Sequence, residues 1–337
     1  MLTKECLKKI DSKLMFKTYD RWPEIAAAAY NSHLKPFKHH NIKEIIFIGM
    51  GGSGAINECF QSILSKTNIH VSIVKGYHLP KTIGKESLLV FTSVSGNTIE
   101  TLSVFDLAIK LKCKIIGFSS GGELEKKFIK HKLEFRKIPM SNSPRASFPS
   151  YFYSMLKVLE NYLPIEKHDI LESIKSLEII RKNISSENLK KNNTSLQLAY
   201  WLDYIPMIYY PWGLQTSAIR FKNSLQENAK MHAMAEDILE ASHNGIVSWE
   251  IKTKIKPILI EGEDDYIKTK ERWKIIKEFF SQNKINFFEI KSQKGSIITK
   301  LICLIYILDY ASIYKSILLK IDPTPVKSIE FIKKNHN

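Results

Sequence analysis

Arginine, cysteine and glycine are all scarce in this chain of 337 residues, and each scarcity excludes something. Only six of the 50 basic residues are arginine (positions 21, 136, 145, 181, 220 and 272), so lysine carries most of the formal charge of +16. The lysines are spread along the whole length, with no long basic run and no interleaved aromatic platform. That pattern argues against specific nucleic-acid binding, and it makes any arginine inside a motif conspicuous. The four cysteines, Cys6, Cys59, Cys113 and Cys303, form no C-x-x-C pair and stand near no histidine cluster. A structural zinc site is therefore not expected, and the spacing fits reduced thiols of a cytoplasmic protein better than a disulfide frame. The segment MLTKECLKKIDSK lacks the apolar core of a signal peptide. In the most apolar segment, Ile297 to Leu319, Lys300, Asp309 and Lys315 leave uncharged runs too short to span a bilayer. The expectation there is a buried helix and no membrane partner.

Glycine is scarce and also unevenly placed. Ten of the 14 fall between Gly49 and Gly122. Backbone freedom is concentrated in that stretch, so a ligand is expected to approach the main chain there. The rest of the composition is ordinary for a folded protein: 44% of residues are apolar, enough for a sizeable core and about two domains.

After a helical stretch in residues 1–40, short apolar runs alternate with turns and helices. Ile45–Ile48, Val71–Val74, Leu88–Phe91, Lys114–Phe118 and Glu134–Ile138 read as strands. Helices are expected at about 55–66, 99–111 and 147–162. This spacing implies βαβ units and a parallel sheet covered on both faces. Residues 166–195 read as helical and charged, ending in Lys190-Lys-Asn-Asn-Thr-Ser, a candidate joint. The pattern then returns, with strands at Ile205–Tyr210, Lys256–Glu261 and Asn286–Lys291 and helices at about 215–234, 297–319 and 325–334. The expected fold is α/β with two doubly wound domains, each a parallel sheet flanked by helices in three αβα layers. The boundaries fall at 1–165, 166–195 (a helical connection) and 196–337.

Two turns carry most of the chemistry. Gly49-Met-Gly51-Gly52-Ser53-Gly54 fits G-x-G-x-x-G between a strand and a helix. A dinucleotide site also needs an acidic residue at the end of the second strand, and Val74-Lys75-Gly76 stands there instead. What remains is a turn whose small residues let backbone N–H groups reach an anion, or else a tight βα turn with no ligand. The second turn, Thr92-Ser93-Val94-Ser95-Gly96-Asn97-Thr98, is rich in hydroxyls and opens a helix. It suits a compact dianion such as a phosphate monoester without any cationic side chain. Its bland alternative is a helix cap by Ser95 or Thr98, with Glu100 in the first turn.

Taken together, G-M-G-G-S and S-x-S-G-N-T resemble a sugar isomerase (SIS) domain, a doubly wound module that binds sugar phosphates. Three further segments narrow the resemblance. They are Ser119-Ser-Gly-Gly-Glu-Leu with Ser143-Pro144-Arg145-Ala146, Gln226-Glu227-Asn228-Ala229-Lys230 with Ser242-His243-Asn244, and Ile321-Asp322-Pro-Thr-Pro-Val326 with Ile329-Glu-Phe-Ile-Lys333. With these the chain resembles the bifunctional phosphoglucose/phosphomannose isomerase family. The resemblance implies a cytoplasmic aldose–ketose isomerase acting on hexose 6-phosphates without metal or redox cofactor. It also implies a homodimer in which His243 crosses to the neighbouring subunit.

Residue by residue, the resemblance implies that Ser93, Ser95 and Thr98, in the loop with Gly96 and Asn97, hold the phosphate. Gly52 and Ser53 lie against the sugar. Glu227 is the base, His243 opens the ring with help from Lys333, and Arg145 faces the anionic enediolate. In the Lys333 segment Ile332 stands where the family has Leu, and Lys334 is adjacent. These residue types suit the chemistry. An imidazole with a near-neutral pKa can shuttle protons at ring opening, a carboxylate can carry one between C2 and C1, and a fixed cation stabilises the enediolate. Without the resemblance, Glu227, on a face shared with Ser224 and Lys230, reads more readily as part of a solvated i, i+3 helix pair. The rival readings are a sugar-phosphate-sensing SIS regulator and another SIS ketol-isomerase.

Overall fold

The apolar runs fold as parallel strands because they are buried on both faces and joined by helical crossovers. In a computed structural model that describes residues 2–335, three short helices come first: α1 (Lys4–Ile10), α2 (Met15–Asp20) and α3 (Trp22–Tyr30). The first sheet follows, as β1 (Glu44–Ile48), α4 (Gly51–Leu64), β2 (His70–Val74), β3 (Ser87–Ser93), α5 (Ile99–Ala108), β4 (Lys114–Ser119), α6 (Gly122–Lys130) and β5 (Glu134–Lys137). Its order is β2-β1-β3-β4-β5, all parallel, with Ile45 opposite Leu88 and Ile48 opposite Phe91. Every residue of β1 and β3 is buried. Ile46, Leu89, Phe91, Val104, Phe105 and Phe128 form the core on one face. A single 3-10 turn at Arg145–Ser147 leads into α7 (Phe148–Val158), whose Phe148 stacks on Trp22 of α3.

The second sheet is preceded by α8 (Lys167–Ile184) and α9 (Thr194–Trp201). It then runs β6 (Ile205–Tyr210), α10 (Gln215–Ser224), β7 (Met234–Asp237), α11 (Ile238–Ala241), β8 (Ile255–Glu261), α12 (Ile267–Gln282), β9 (Phe288–Lys291), α13 (Ile297–Leu318) and α14 (Lys327–Asn335). The order is β7-β6-β8-β9, again all parallel. Both sheets thus have the α/β doubly wound architecture expected. Leu259, Trp273, Ile276 and Phe280 anchor the second core.

By contacts the chain divides into a unit of Arg21–Ile174 and a unit made of the residues up to Asp20 with those from Lys175 onward. The first two helices therefore go with the later sheet. Tyr306 and Tyr310 on α13 donate hydrogen bonds to the carbonyl of Tyr19 and the carboxylate of Asp20. α13 is long and apolar enough to cross a membrane by length and composition, but 89% of its apolar window is buried inside the fold, as expected of a core helix.

Several elements differ from the sequence reading. α4 starts at Gly51, so Gly52, Ser53 and Gly54 lie in the first helical turn rather than ahead of it. The stretch around Lys190–Ser195 is a tight turn that Asn193 holds, accepting from Leu196 N and donating to the carbonyls of Ile184 and Asn188. The helix after β6 ends at Ala229, and Met234 belongs to a strand that pairs with β6. α6, α9, α11 and α12 are additional to the helices expected.

Candidate active site

The glycine turn and the hydroxyl-rich turn follow β1 and β3, neighbouring strands at the switch point of the first sheet, where ligands of open α/β sheets bind. The two turns are tied together. Ser53 Oγ accepts from Val94 N at 3.2 Å. Close packing imposes glycine at two places. A Cβ on Gly49 would stand 2.7 Å from the Thr92 carbonyl oxygen. Gly96 has φ +72°, and a Cβ there would stand 1.8 Å from the Gly121 carbonyl oxygen.

Within the hydroxyl-rich turn, Ser93 Oγ and Thr98 Oγ1 lie 3.0 Å apart. Thr98 is the N-cap residue of α5, yet its side chain makes no capping hydrogen bond. Thr98 therefore does not cap α5 with its side chain. The hydroxyl faces its neighbour in the loop, and the first-turn N–H groups of α5 keep no intrahelical partner. Hydroxyls and a helix N-terminus converge without a lysine, an arrangement that suits a dianion. Ser93 Oγ also accepts from Gly96 N at 3.2 Å, and Ser95 Oγ accepts from Asn97 N at 3.3 Å. Asn97 has a second duty. Its Oδ1 accepts from Glu123 N at 2.9 Å, so it buttresses the loop against the start of α6.

Arg145 is buried, and its backbone packs on the glycine turn. A Cβ on Gly52 would lie 3.6 Å from the Arg145 N and Cα. One unit therefore gathers the candidate phosphate loop, Gly52, Ser53 and Arg145.

Glu227, His243 and Lys333 stand in the other unit. Glu227 lies half-buried in a single π-helical turn, Leu225–Ala229, that continues α10. Such turns insert one residue and re-aim the side chains around it, and they recur at functional sites. The turn ends on Lys230, which takes a left-handed conformation at φ +56° and whose ammonium bonds the carbonyls of Glu227 and Pro325. His243 is exposed just after α11, with its N–H donated to the Glu240 carbonyl at 2.9 Å. It lines a cavity of about 630 Å³ with Tyr210, Trp212, Gln215, Asp237, Leu239 and Glu240. Asp237 caps α11 through Leu239 N and Glu240 N. The adjacent Glu236 carboxyl is pushed up by burial, with Glu240 and Asp237 adding to the effect. Carboxylates, an amide and an imidazole suit sugar hydroxyls, and the two carboxylates, Asp237 and Glu240, disfavour an anion there. Glu227 is not among the residues lining that cavity. Lys333 is exposed on α14, a helix with no buried residue. Sequence reasoning did not single out Trp212, Gln215, Asp237 and Glu240, which line this cavity, although an Asp opening the run Asp237-Ile-Leu-Glu was a usable sign of a helix cap. Among the described residues, no three His, Cys, Asp or Glu side chains cluster closely enough to hold a metal ion.

A family model for the bacterial phospho-glucose isomerase C-terminal SIS domain matches residues 191–335. The bifunctional phosphoglucose/phosphomannose isomerase of Aquifex aeolicus is 30% identical over 93% of this chain and 93% of its own length. That of Caldicellulosiruptor bescii is also 30% identical, over 95% of this chain and 98% of its own. The chain belongs to the bifunctional phosphoglucose/phosphomannose isomerase family. A solved structure, a hypothetical protein from Thermus thermophilus, shares the fold. Its TM-score is 0.72 at 13% identity, covering 98% of this chain and 92% of that one. The matched residues 191–335 include Glu227, His243 and Lys333.

Proposed function

We propose that this protein is a cytoplasmic aldose–ketose isomerase that interconverts glucose 6-phosphate and fructose 6-phosphate and also accepts mannose 6-phosphate. The observation that carries the reading is the uncapped Ser93–Thr98 hydroxyl cradle, in a chain that aligns nearly end to end with two named bifunctional isomerases. Ser93, Ser95 and Thr98 bind the phosphate, together with the open N–H groups of α5. His243 moves protons between the C1 hydroxyl and the ring oxygen as the ring opens, with Lys333 assisting at the oxygen. Glu227 takes the C2 proton and returns it to C1, so the base ends each turnover as it began. Arg145 stabilises the negative charge of the cis-enediolate between the two transfers. Glucose and mannose phosphates differ only at C2, and rotation about C2–C3 presents either proton to one base. The enzyme works as a homodimer in which His243 serves the neighbouring subunit.

The test is direct. The purified protein, treated with a chelator and given fructose 6-phosphate, is expected to produce both aldose phosphates. A protein that binds fructose 6-phosphate without turnover, and shifts DNA in a gel, would establish the rival regulator instead.

A further inference from the structure

The π-turn that carries Glu227 is clamped on both sides to one turn of α13, some 80 residues further along the chain. On the N-terminal side, Ser224 Oγ donates to Asp309 Oδ1 at 2.7 Å. Asp309 is fully buried, and its Oδ2 accepts from Arg220 Nε at 3.0 Å and Nη2 at 2.6 Å and from the Tyr19 hydroxyl at 3.2 Å. On the C-terminal side, Asn228 Nδ2 donates to Ser312 Oγ at 2.8 Å. Ser312 gives its own proton to the Asp309 carbonyl at 2.6 Å, which leaves its oxygen free to accept. Asn228 and Ser312 are both fully buried.

The arrangement has a physical cost that needs a reason. A π-turn is a rare departure from α geometry, and Lys230 closes it in a backbone conformation that side chains seldom adopt. A buried Arg–Asp pair is itself seldom a net source of stability. Strain and buried charge of this kind persist where the surroundings over-determine one geometry. Here the residues held are 224 and 228, on either side of Glu227. A relaxed α-helical turn through 225–229 would carry one residue fewer and point the Glu227 carboxylate elsewhere on the helix.

We propose that Asp309 and Ser312 are positioning residues. Acting through Ser224 and Asn228, they hold the π-turn and so fix the direction of the Glu227 carboxylate. The proposal rests on the reading of Glu227 as the base.

Asp309→Asn would leave the Arg220 charge without its partner in the interior and is a poor first test. Ser312→Ala and Ser224→Ala each remove one hydroxyl and keep the packing. Each variant of the full chain is expected to lose roughly 3–30-fold in kcat with KM within about twofold, because a misplacement of an ångström or so is costly to proton transfer. The acid limb of the pH profile of kcat/KM should move with it. In native-state hydrogen exchange, the amides of residues 226–231 should exchange faster than in the parent while those of β6 and β8 do not.

Amides that exchange at the parent rate in both variants would overturn the proposal. Faster exchange with unchanged kcat and pH profile would overturn it too, since the clamp would then be structural only. If the unaltered protein fails to turn over any hexose 6-phosphate, the functional reading fails by itself. The exchange measurement still decides whether Asp309 and Ser312 hold the turn.

Discussion

The two sheets are built to one plan and differ where it matters. Strand order β2-β1-β3-β4 in the first matches β7-β6-β8-β9 in the second, so the turns after β1 and β3 correspond to those after β6 and β8. After β1 stand Gly49, Gly51, Gly52 and Gly54; after β6 stand Pro211, Trp212 and Gly213. After β3 the loop offers hydroxyls and an uncapped helix. After β8 the corresponding loop is Gly262-Glu-Asp-Asp-Tyr, and it is closed on itself. Asp265 Oδ2 accepts from Gly262 N at 2.9 Å and from Trp273 Nε1 at 3.0 Å, and Asp264 pairs with Lys300 at 2.9 Å. The acids of this loop are already engaged, and the pocket beside it is lined by Lys270, Lys274, Lys277 and Lys291 as well as by Glu261 and Glu263. A duplicated architecture fixes where a site can be, and loop chemistry decides what each copy offers a ligand.

The sharpest way to break that comparison is to strike the unit assigned the proton transfers. Glu227→Gln keeps the shape and removes the base, and kcat should fall by about 10³-fold with KM little changed. A coupled assay from fructose 6-phosphate measures it. Near-parental turnover would move the base elsewhere and undo the assignment of the later sheet.

The next effect lies in the hydroxyl loop. Ser93→Ala and Thr98→Val each delete one hydroxyl of the cradle. Hydrogen bonds to a charged group contribute about 1.5–3 kcal/mol, so KM should rise roughly tenfold or more in each. If KM stayed put while kcat fell, the loop would not be holding the phosphate. Asp265→Ala serves as the counterpart in the second sheet. It leaves two donors without their acceptor and should cost about 1–3 kcal/mol in denaturant unfolding, with KM unchanged. A raised KM would mean that the acidic loop also meets substrate, and the contrast between the sheets would fail.

How far the sequence reveals this can be judged from individual elements. Ile205–Tyr210 is legible to the residue, because a short continuous apolar run bounded by turn residues is the pattern of a parallel strand, even though Ile205 itself is exposed. The hydroxyl loop is legible for a different reason: several Ser and Thr residues cluster where a single helix cap needs one. β7 is not legible. Met-Ala-Glu-Asp has little strand preference, and only pairing with β6 makes it a strand. α12 hides its apolar face, Trp273, Ile276 and Phe280, among lysines and glutamates, though its helical spacing was there to be found. The π-turn under Glu227 has no local signature at all, since the groups that hold it arrive from α13. Asp309 inside an otherwise apolar run was a sign of that partnership, legible only as an interruption.

The smallest effect asks whether the buried charge of the second unit is structural. Lys315 is buried in α13, and burial holds its ammonium below the ordinary lysine pKa, with Lys256 pushing the same way and Asp203 opposing. The sign follows from proton counting. Between the folded value and the ordinary one, the unfolded chain binds more protons, so stability rises with pH through that alkaline window. At neutral pH the penalty is present in full. Lys315→Met should therefore stabilise the protein at pH 7, by about 1 kcal/mol or less, and the gain should shrink as the pH climbs towards the ordinary lysine range. Denaturant unfolding at pH 7 and pH 10 measures both. Turnover should be unchanged, because no step assigned above uses Lys315. A loss of kcat in a stabilised variant would show that the second unit supplies one more group to the chemistry than Glu227, His243 and Lys333.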